Sequence, residues 1–290
     1  MTATDDKLTT SDNFSLSATR YDAETTASAR TTVVISPALG VPRRFYTSFA
    51  EYLAGQGIDV LTYDVRGVGQ SRPQNMRGFQ ARMSDWGEKD MAAAFDAARQ
   101  SWPGNKMIAL GHSSGGQLLG LAPNASLIDA AVTVAAQSGW AGHWPGLKYL
   151  PRRIMFGFLC SVVMPGVSRL LGHFPGGRIG LFDIPGGVAR QWSGWCMDPD
   201  YLFGDKSLDL GGYDAFAAPI LAFSFTDDTY VSPWAPMSVV GRYGSASKTS
   251  RHVTPADVGS CGIGHFGFFK SADSGTLWAE TADWIRSVPD

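Results

Sequence analysis

A serine hydroxyl is a weak nucleophile at neutral pH. It needs a base within hydrogen-bond reach, and the base needs a third group to fix its tautomer and stabilise its cation. The chain offers all three residue types in suitable settings. Gly111-His112-Ser113-Ser114-Gly115-Gly116 directly follows the apolar run Met107-Ile108-Ala109-Leu110. This is a GxSxG pattern at a strand end, where a sharp strand-to-helix turn lifts the central hydroxyl above a sheet and small neighbours let the backbones pass. Ser113 is the candidate nucleophile. Downstream, the strand-like run Pro219 to Phe225 ends in Thr226-Asp227-Asp228, and Gly262-Ile263-Gly264-His265-Phe266-Gly267-Phe268-Phe269 sets a histidine in a Gly-rich loop.

Of the five histidines, His265 has the setting of a base. His112 lies inside the turn, where packing suits it better. His143 and His173 fall in a Trp/Pro/Gly-rich stretch, and His252 sits among polar residues. The acid is ambiguous between Asp227 and Asp228, because adjacent residues at a strand end point in different directions; the other of the two would be a turn residue bonding its own backbone.

Together these residues resemble the serine-dependent α/β-hydrolase superfamily, in which the order along the chain is Ser, Asp or Glu, then His. The chain is similar in particular to the bacterial branch of predicted alpha/beta hydrolases near serine aminopeptidase and lysophospholipase-like lipases. Tyr63-Asp64-Val65-Arg66-Gly67-Val68-Gly69-Gln70-Ser71 resembles the YDxRGxGxS signature after the fourth strand, and Gly264 to Phe269 resembles the histidine loop. The resemblance covers roughly residues 30 to 288, and four ordered motifs are more specific than one. It implies an acid three places after a glycine position, followed by a Val. With Phe225 in the glycine place this favours Asp228, with Val231 following. It also implies an oxyanion hole of two backbone amides, one from Ser114 and one from the loop Ser36-Pro37-Ala38-Leu39-Gly40, where relatives often carry His-Gly. That alignment selects Leu39, with Ala38 as the alternative.

These groups need a scaffold. Thr32 to Ser36, Ile58 to Tyr63, the run before Ser113, Ala130 to Ala135 and Pro219 to Phe225 read as strands. Phe45, Phe49, Tyr52 and Leu53, and later Met91, Ala94, Phe95 and Ala98 within Asp85 to Ser101, recur at helical spacing. Alternating strands and helices predict the α/β class, an α/β-hydrolase fold with a mainly parallel sheet and helices on both faces. The core is expected over 31–136 and 211–290. Residues 1–30 read as a loose polar tail and a short hairpin. Over 137–210 the alternation breaks down among Trp, Phe, Pro and Gly, which predicts a lid or cap. Its Arg190 to Trp195 segment suggests a helix laid across the pocket, with Trp192 and Trp195 as substrate-binding candidates.

At 290 residues with 44% hydrophobic and 17% charged content, the chain can bury one large core. A net charge of −2 with scattered basic residues gives no footprint for nucleic acid. Cys160, Cys196 and Cys261 lack metal-site or disulfide-framework spacing, and the N-terminus lacks a secretory pattern. The expectation is a cytoplasmic enzyme with no integral membrane segment, no metal and no organic cofactor. It would be a carboxylesterase- or lipase-like serine hydrolase acting on a small, largely apolar ester, thioester or amide. Acyl transfer with the same three residues, and a non-catalytic binding protein on the same fold, are the alternatives. The intact Ser, Asp, His and glycines argue against the last; Asp would stand at position 113 in a dehalogenase or epoxide hydrolase.

Overall fold

The computed structural model describes residues 2–23, 31–180, 182–270 and 275–289. Eight strands form one sheet in the order β1-β2-β4-β3-β5-β6-β9-β10. They are β1 (Thr2–Thr9), β2 (Ser15–Asp22), β3 (Thr31–Ser36), β4 (Asp59–Tyr63), β5 (Lys106–His112), β6 (Ala130–Val134), β9 (Ile220–Phe225) and β10 (Lys248–Val253). From β4 to β10 all pairings are parallel, whereas β1 with β2 and β2 with β4 are antiparallel. The central strands β4, β6 and β9 are mainly apolar and buried along their whole length, as strands covered on both faces must be.

Helix α1 (Thr47–Gly55) and the C-terminal helix Gly275–Ser287 cover one face, where Phe49, Leu53, Leu277 and Trp278 join one core cluster. On the other face α2, a helix over 83–101 with a π turn at Trp86–Met91, contributes Trp86 and Phe95 to a second cluster. The alternation read from the sequence therefore has its expected layers. The N-terminus differs. Residues 2–22 form the expected hairpin, but it takes up the stretch read as a loose tail and extends the main sheet, with β1 exposed at the edge; residues 24–30 lie outside the described residues. Its polar composition made its first strand read as a tail, because an edge strand need bury few side chains.

The signature Tyr63 to Ser71 turns out to be a knot holding this edge. Buried Asp64 accepts from Arg43 N at 2.6 Å, Arg43 Nη1 at 2.5 Å and Gln70 N at 2.9 Å. Gly69 has φ +53°, and a Cβ there would stand 2.4 Å from the Asp64 carboxylate. Ser71 Oγ donates to the Asp64 carbonyl and accepts from Ser17 N, both at 2.8 Å.

Between β6 and β9 the chain leaves the sheet. Short helix α3 (Ser114–Gln117) has already followed β5. The excursion then forms α4, a helical stretch over Leu147–Leu171, the two-stranded β7 (His173–Pro175) and β8 (Asp183–Pro185), and α5 (Gly186–Met197). By length and composition alone α4 could cross a bilayer. The sequence reading saw only aromatic residues among Pro and Gly here, and those residues masked a continuous apolar helix.

Candidate active site

The turn after β5 is dictated by steric need. Ser113 has φ 50° and ψ −116°, a conformation that non-glycine residues adopt only when their surroundings hold them there. Its N–H donates to Val134 O at 2.8 Å. A Cβ on Gly111 would lie 2.3 Å from Gly116 Cα, and one on Gly115 would lie 2.2 Å from Ser36 O. Only glycines allow β5, α3 and β3 to pass this closely, so the GxSxG spacing is a packing requirement that presents Ser113 at the C-terminal edge of the sheet.

Asp227 and Asp228 separate as their neighbours in the turn require. Asp228 is 2% exposed. Its Oδ2 lies 2.8 Å from His265 Nδ1, and its Oδ1 accepts from Tyr230 N at 2.7 Å and Val231 N at 3.1 Å. Asp227 instead accepts from Ile263 N at 2.8 Å and Gly264 N at 3.0 Å, tying down the loop that carries His265. The first carboxylate holds the loop and the second meets the imidazole. Tyr230 stacks on the His265 ring, with centroids 5.2 Å apart and planes at 24°. Nothing in the sequence marked Tyr230 out.

His112 is fully buried and links two loops. Its Nε2 is 2.9 Å from His265 O and its Nδ1 is 2.9 Å from Tyr46 Oη. A carbonyl can only accept, so Nε2 carries the proton. Burial holds the imidazole well below its ordinary pKa, with His265 adding to the effect. The ring is therefore neutral, and the Tyr46 hydroxyl donates to Nδ1 while accepting from Ala38 N–H at 2.9 Å. Ala38 N–H is so engaged, whereas among the described residues the amides of Leu39 and Ser114, like those of Gly40 and Gly115, are not taken up by a hydrogen bond. His252 bonds Ser224 Oγ at 2.8 Å on the far strands, and neither it nor His143 or His173 lines the cavity.

Ser113, Leu39 and His265 line a cavity of about 650 Å³ whose other wall comes from the excursion, including Trp144, Phe156, Leu159, Phe174 and Trp192. Among the described residues its charged lining is Arg152 and Lys270, beside His265, with no carboxylate. Arg152 stacks on Trp144 at 3.9 Å and donates to the Thr229 carbonyl. Trp192 is where the sequence reading expected it. Trp195 requires correction: it does not line the cavity, is 3% exposed, and donates through Nε1 to Asp205 Oδ2 at 2.9 Å. The two tryptophans are three residues apart on α5, close enough for one face, but the buried indole of Trp195 has its N–H satisfied by the Asp205 carboxylate.

Residues 27–163 match the family described as serine aminopeptidase, S33. No curated protein sequence matches the chain. Among solved structures, DcsB in complex with its substrate analogue is 16% identical with a TM-score of 0.69, covering 99% of this chain and all of that one. A thermostable carboxyl esterase from Bacillus coagulans in complex with glycerol is 14% identical with a TM-score of 0.64, covering 99% of each chain. A soluble variant of monoglyceride lipase from Saccharomyces cerevisiae, bound to a substrate analog, is 14% identical with a TM-score of 0.65, covering 95% of this chain and 92% of that one. With its sheet order, its turn at Ser113 and these structural matches, the chain has the α/β-hydrolase fold, and over residues 27–163 it is similar to the serine aminopeptidase S33 family.

Proposed function

We propose that the protein is a serine hydrolase that cleaves a carboxylic ester, or a thioester or amide, of a small and largely apolar substrate through an acyl-enzyme. The observation that carries this reading is the strained Ser113 sharing a cavity with a His265 whose Nδ1 is held by buried Asp228. Ser113 attacks the carbonyl carbon while His265 takes its proton, and Asp228 fixes the ring tautomer and stabilises the imidazolium. The developing oxyanion is met by the Leu39 and Ser114 amides. His265 then protonates the leaving group, and in the second half it activates the water that releases the acyl group and regenerates Ser113.

The cavity lining favours an ester over a peptide with a free N-terminus. Recognition of a substrate ammonium calls for a carboxylate, and none among the described residues lines this cavity, whereas aromatic and aliphatic walls suit an acyl or alkyl group. A fluorophosphonate probe tests the reading. It is expected to label Ser113, located by peptide mass, and Ser113→Ala and His265→Ala should both abolish labelling. Folded protein that fails to label would favour a non-catalytic binding protein.

A further inference from the structure

We propose that the outer face of α4 docks the protein on an anionic lipid surface, with the helix lying in the plane of that surface. Seven of the eleven exposed large hydrophobic side chains among the described residues belong to α4, so the exposed apolar area is concentrated in one element. Leu147, Leu150, Ile154, Phe158 and Val162 recur every three or four residues and form one stripe, which Leu170 extends. Leu147 is 86% exposed, Met155 beside the stripe 69% and Leu170 74%, values unusual for such residues unless something covers them.

The opposite side of the same helix is committed to the protein. Cys160, Met164 and Ser168 are buried, and Phe156 and Leu159 line the cavity. Crossing a membrane would strip these contacts from the helix, whereas lying flat preserves them and immerses only the outer stripe, as amphipathic interfacial helices do.

Charge chooses the occupant. From Ala130 to Phe182 the sequence contains Lys148, Arg152, Arg153, Arg169 and Arg178 and no Asp or Glu, in a chain whose net charge is −2. Lys148, Arg153 and Arg169 are exposed on α4 itself. An anionic headgroup layer complements this face and accepts its apolar stripe. A second copy of the chain does not, because a two-fold contact through α4 sets these cations against their own counterparts.

The test is flotation of the full chain with vesicles of phosphatidylcholine, with and without phosphatidylglycerol. The wild type is expected to float with the phosphatidylglycerol vesicles and to lose that association as salt is raised. Ile154→Ser with Phe158→Ser should lower the partition by more than about tenfold, and Lys148→Ala with Arg153→Ala by about fivefold per residue removed. These four side chains do not line the cavity, and the charge pair is exposed, so its variant reports even if the apolar pair fails to fold. The proposal is overturned if the wild type stays with the vesicle-free protein, if neutral and anionic vesicles bind it equally, or if it forms a dimer that the Ile154/Phe158 variant dissociates. Because flotation reads binding and not turnover, protein that floats but does not label with a fluorophosphonate would count against the hydrolase reading alone.

Discussion

Asp227 and Asp228 are adjacent, yet their hydrogen bonds predict opposite signatures on substitution. Asp228→Asn keeps the side-chain volume and leaves a carbonyl oxygen for the amides of Tyr230 and Val231, now 2.7 and 3.1 Å from Oδ1. Its NH2 then faces His265 Nδ1, where the carboxylate oxygen stands at 2.8 Å. A ring nitrogen facing a donor must accept, so the proton moves to Nε2 and the ring can no longer take one from Ser113. The same substitution in a serine protease lowers kcat by about 10⁴ with its geometry intact, and a loss of that order is expected here with little change in folding. Asp227→Asn is different: it has one oxygen for the two amides of Ile263 and Gly264 that the carboxylate now serves. A bond to a charged acceptor contributes about 1.5–3 kcal/mol, and because Asp227 is half-exposed, water offsets part of this, leaving about 1 kcal/mol. In a domain of this size that is about 2–4 °C in Tm, and the loosened His265 loop should lower kcat by about tenfold at most. Hydrolysis of a small chromogenic ester and thermal unfolding by circular dichroism, run on both variants, separate the two. Asp228→Asn retaining a tenth or more of wild-type kcat would refute its role as partner of His265. An equal loss in Asp227→Asn at unchanged Tm would transfer that role.

Three further outcomes follow from other contacts. His112 is held neutral, with its folded pKa well below 6.5, so the stability it confers is complete above pH 6.5 and is lost as pH falls toward the folded value. Replacing it by Gln should flatten the pH dependence of denaturant unfolding below 6.5 by up to about 1.4 kcal/mol per pH unit, and parallel curves would exclude the buried neutral ring. For Gly115→Ala, a Cβ 2.2 Å from Ser36 O forces β3 and the turn apart; labelling of Ser113 should disappear and stability fall by about 1–3 kcal/mol, whereas a variant that labels normally would show that the turn has slack. Burial pushes the Asp205 carboxyl up, but hydrogen bonds from Ser207, Trp195 and Gln191 outweigh it and hold it at about 2. Its contribution is therefore present above pH 3.8 and lost as pH falls through about 2, so Trp fluorescence should report loosening of α5 at acid pH in the wild type, and Asp205→Asn should already show the loosened signal near neutrality.

What the sequence made legible follows from how far each constraint reaches along the chain. The turn at Ser113 was readable because its glycines and serine fall within six residues and the close backbone approach at the glycines leaves no room for a Cβ. The central strands were readable because burial on both faces demands mainly apolar runs, here broken only by Asp59, Thr62, Thr133 and Ser224. Asp228 was reachable by counting from β9, although residue type alone could not choose it over Asp227; what separates them is whether the partner lies at 265 or at 263 and 264. The link through His112 was not readable at all, since its partners Tyr46 and His265 stand 66 and 153 residues away and nothing local to His112 points to either. The misplaced Trp195 has the same origin: its indole is claimed by Asp205, and a spacing of three along a helix cannot tell which of two tryptophans has a polar partner behind it. The α4 stripe is the opposite case. Its periodicity is local and was present in the sequence, but periodicity shows only that a helix has an apolar face; that the face points outward depends on the other side of the helix being occupied by α5 and the cavity. A local pattern thus fixes conformation, while the partner that gives the conformation its use is supplied by the fold.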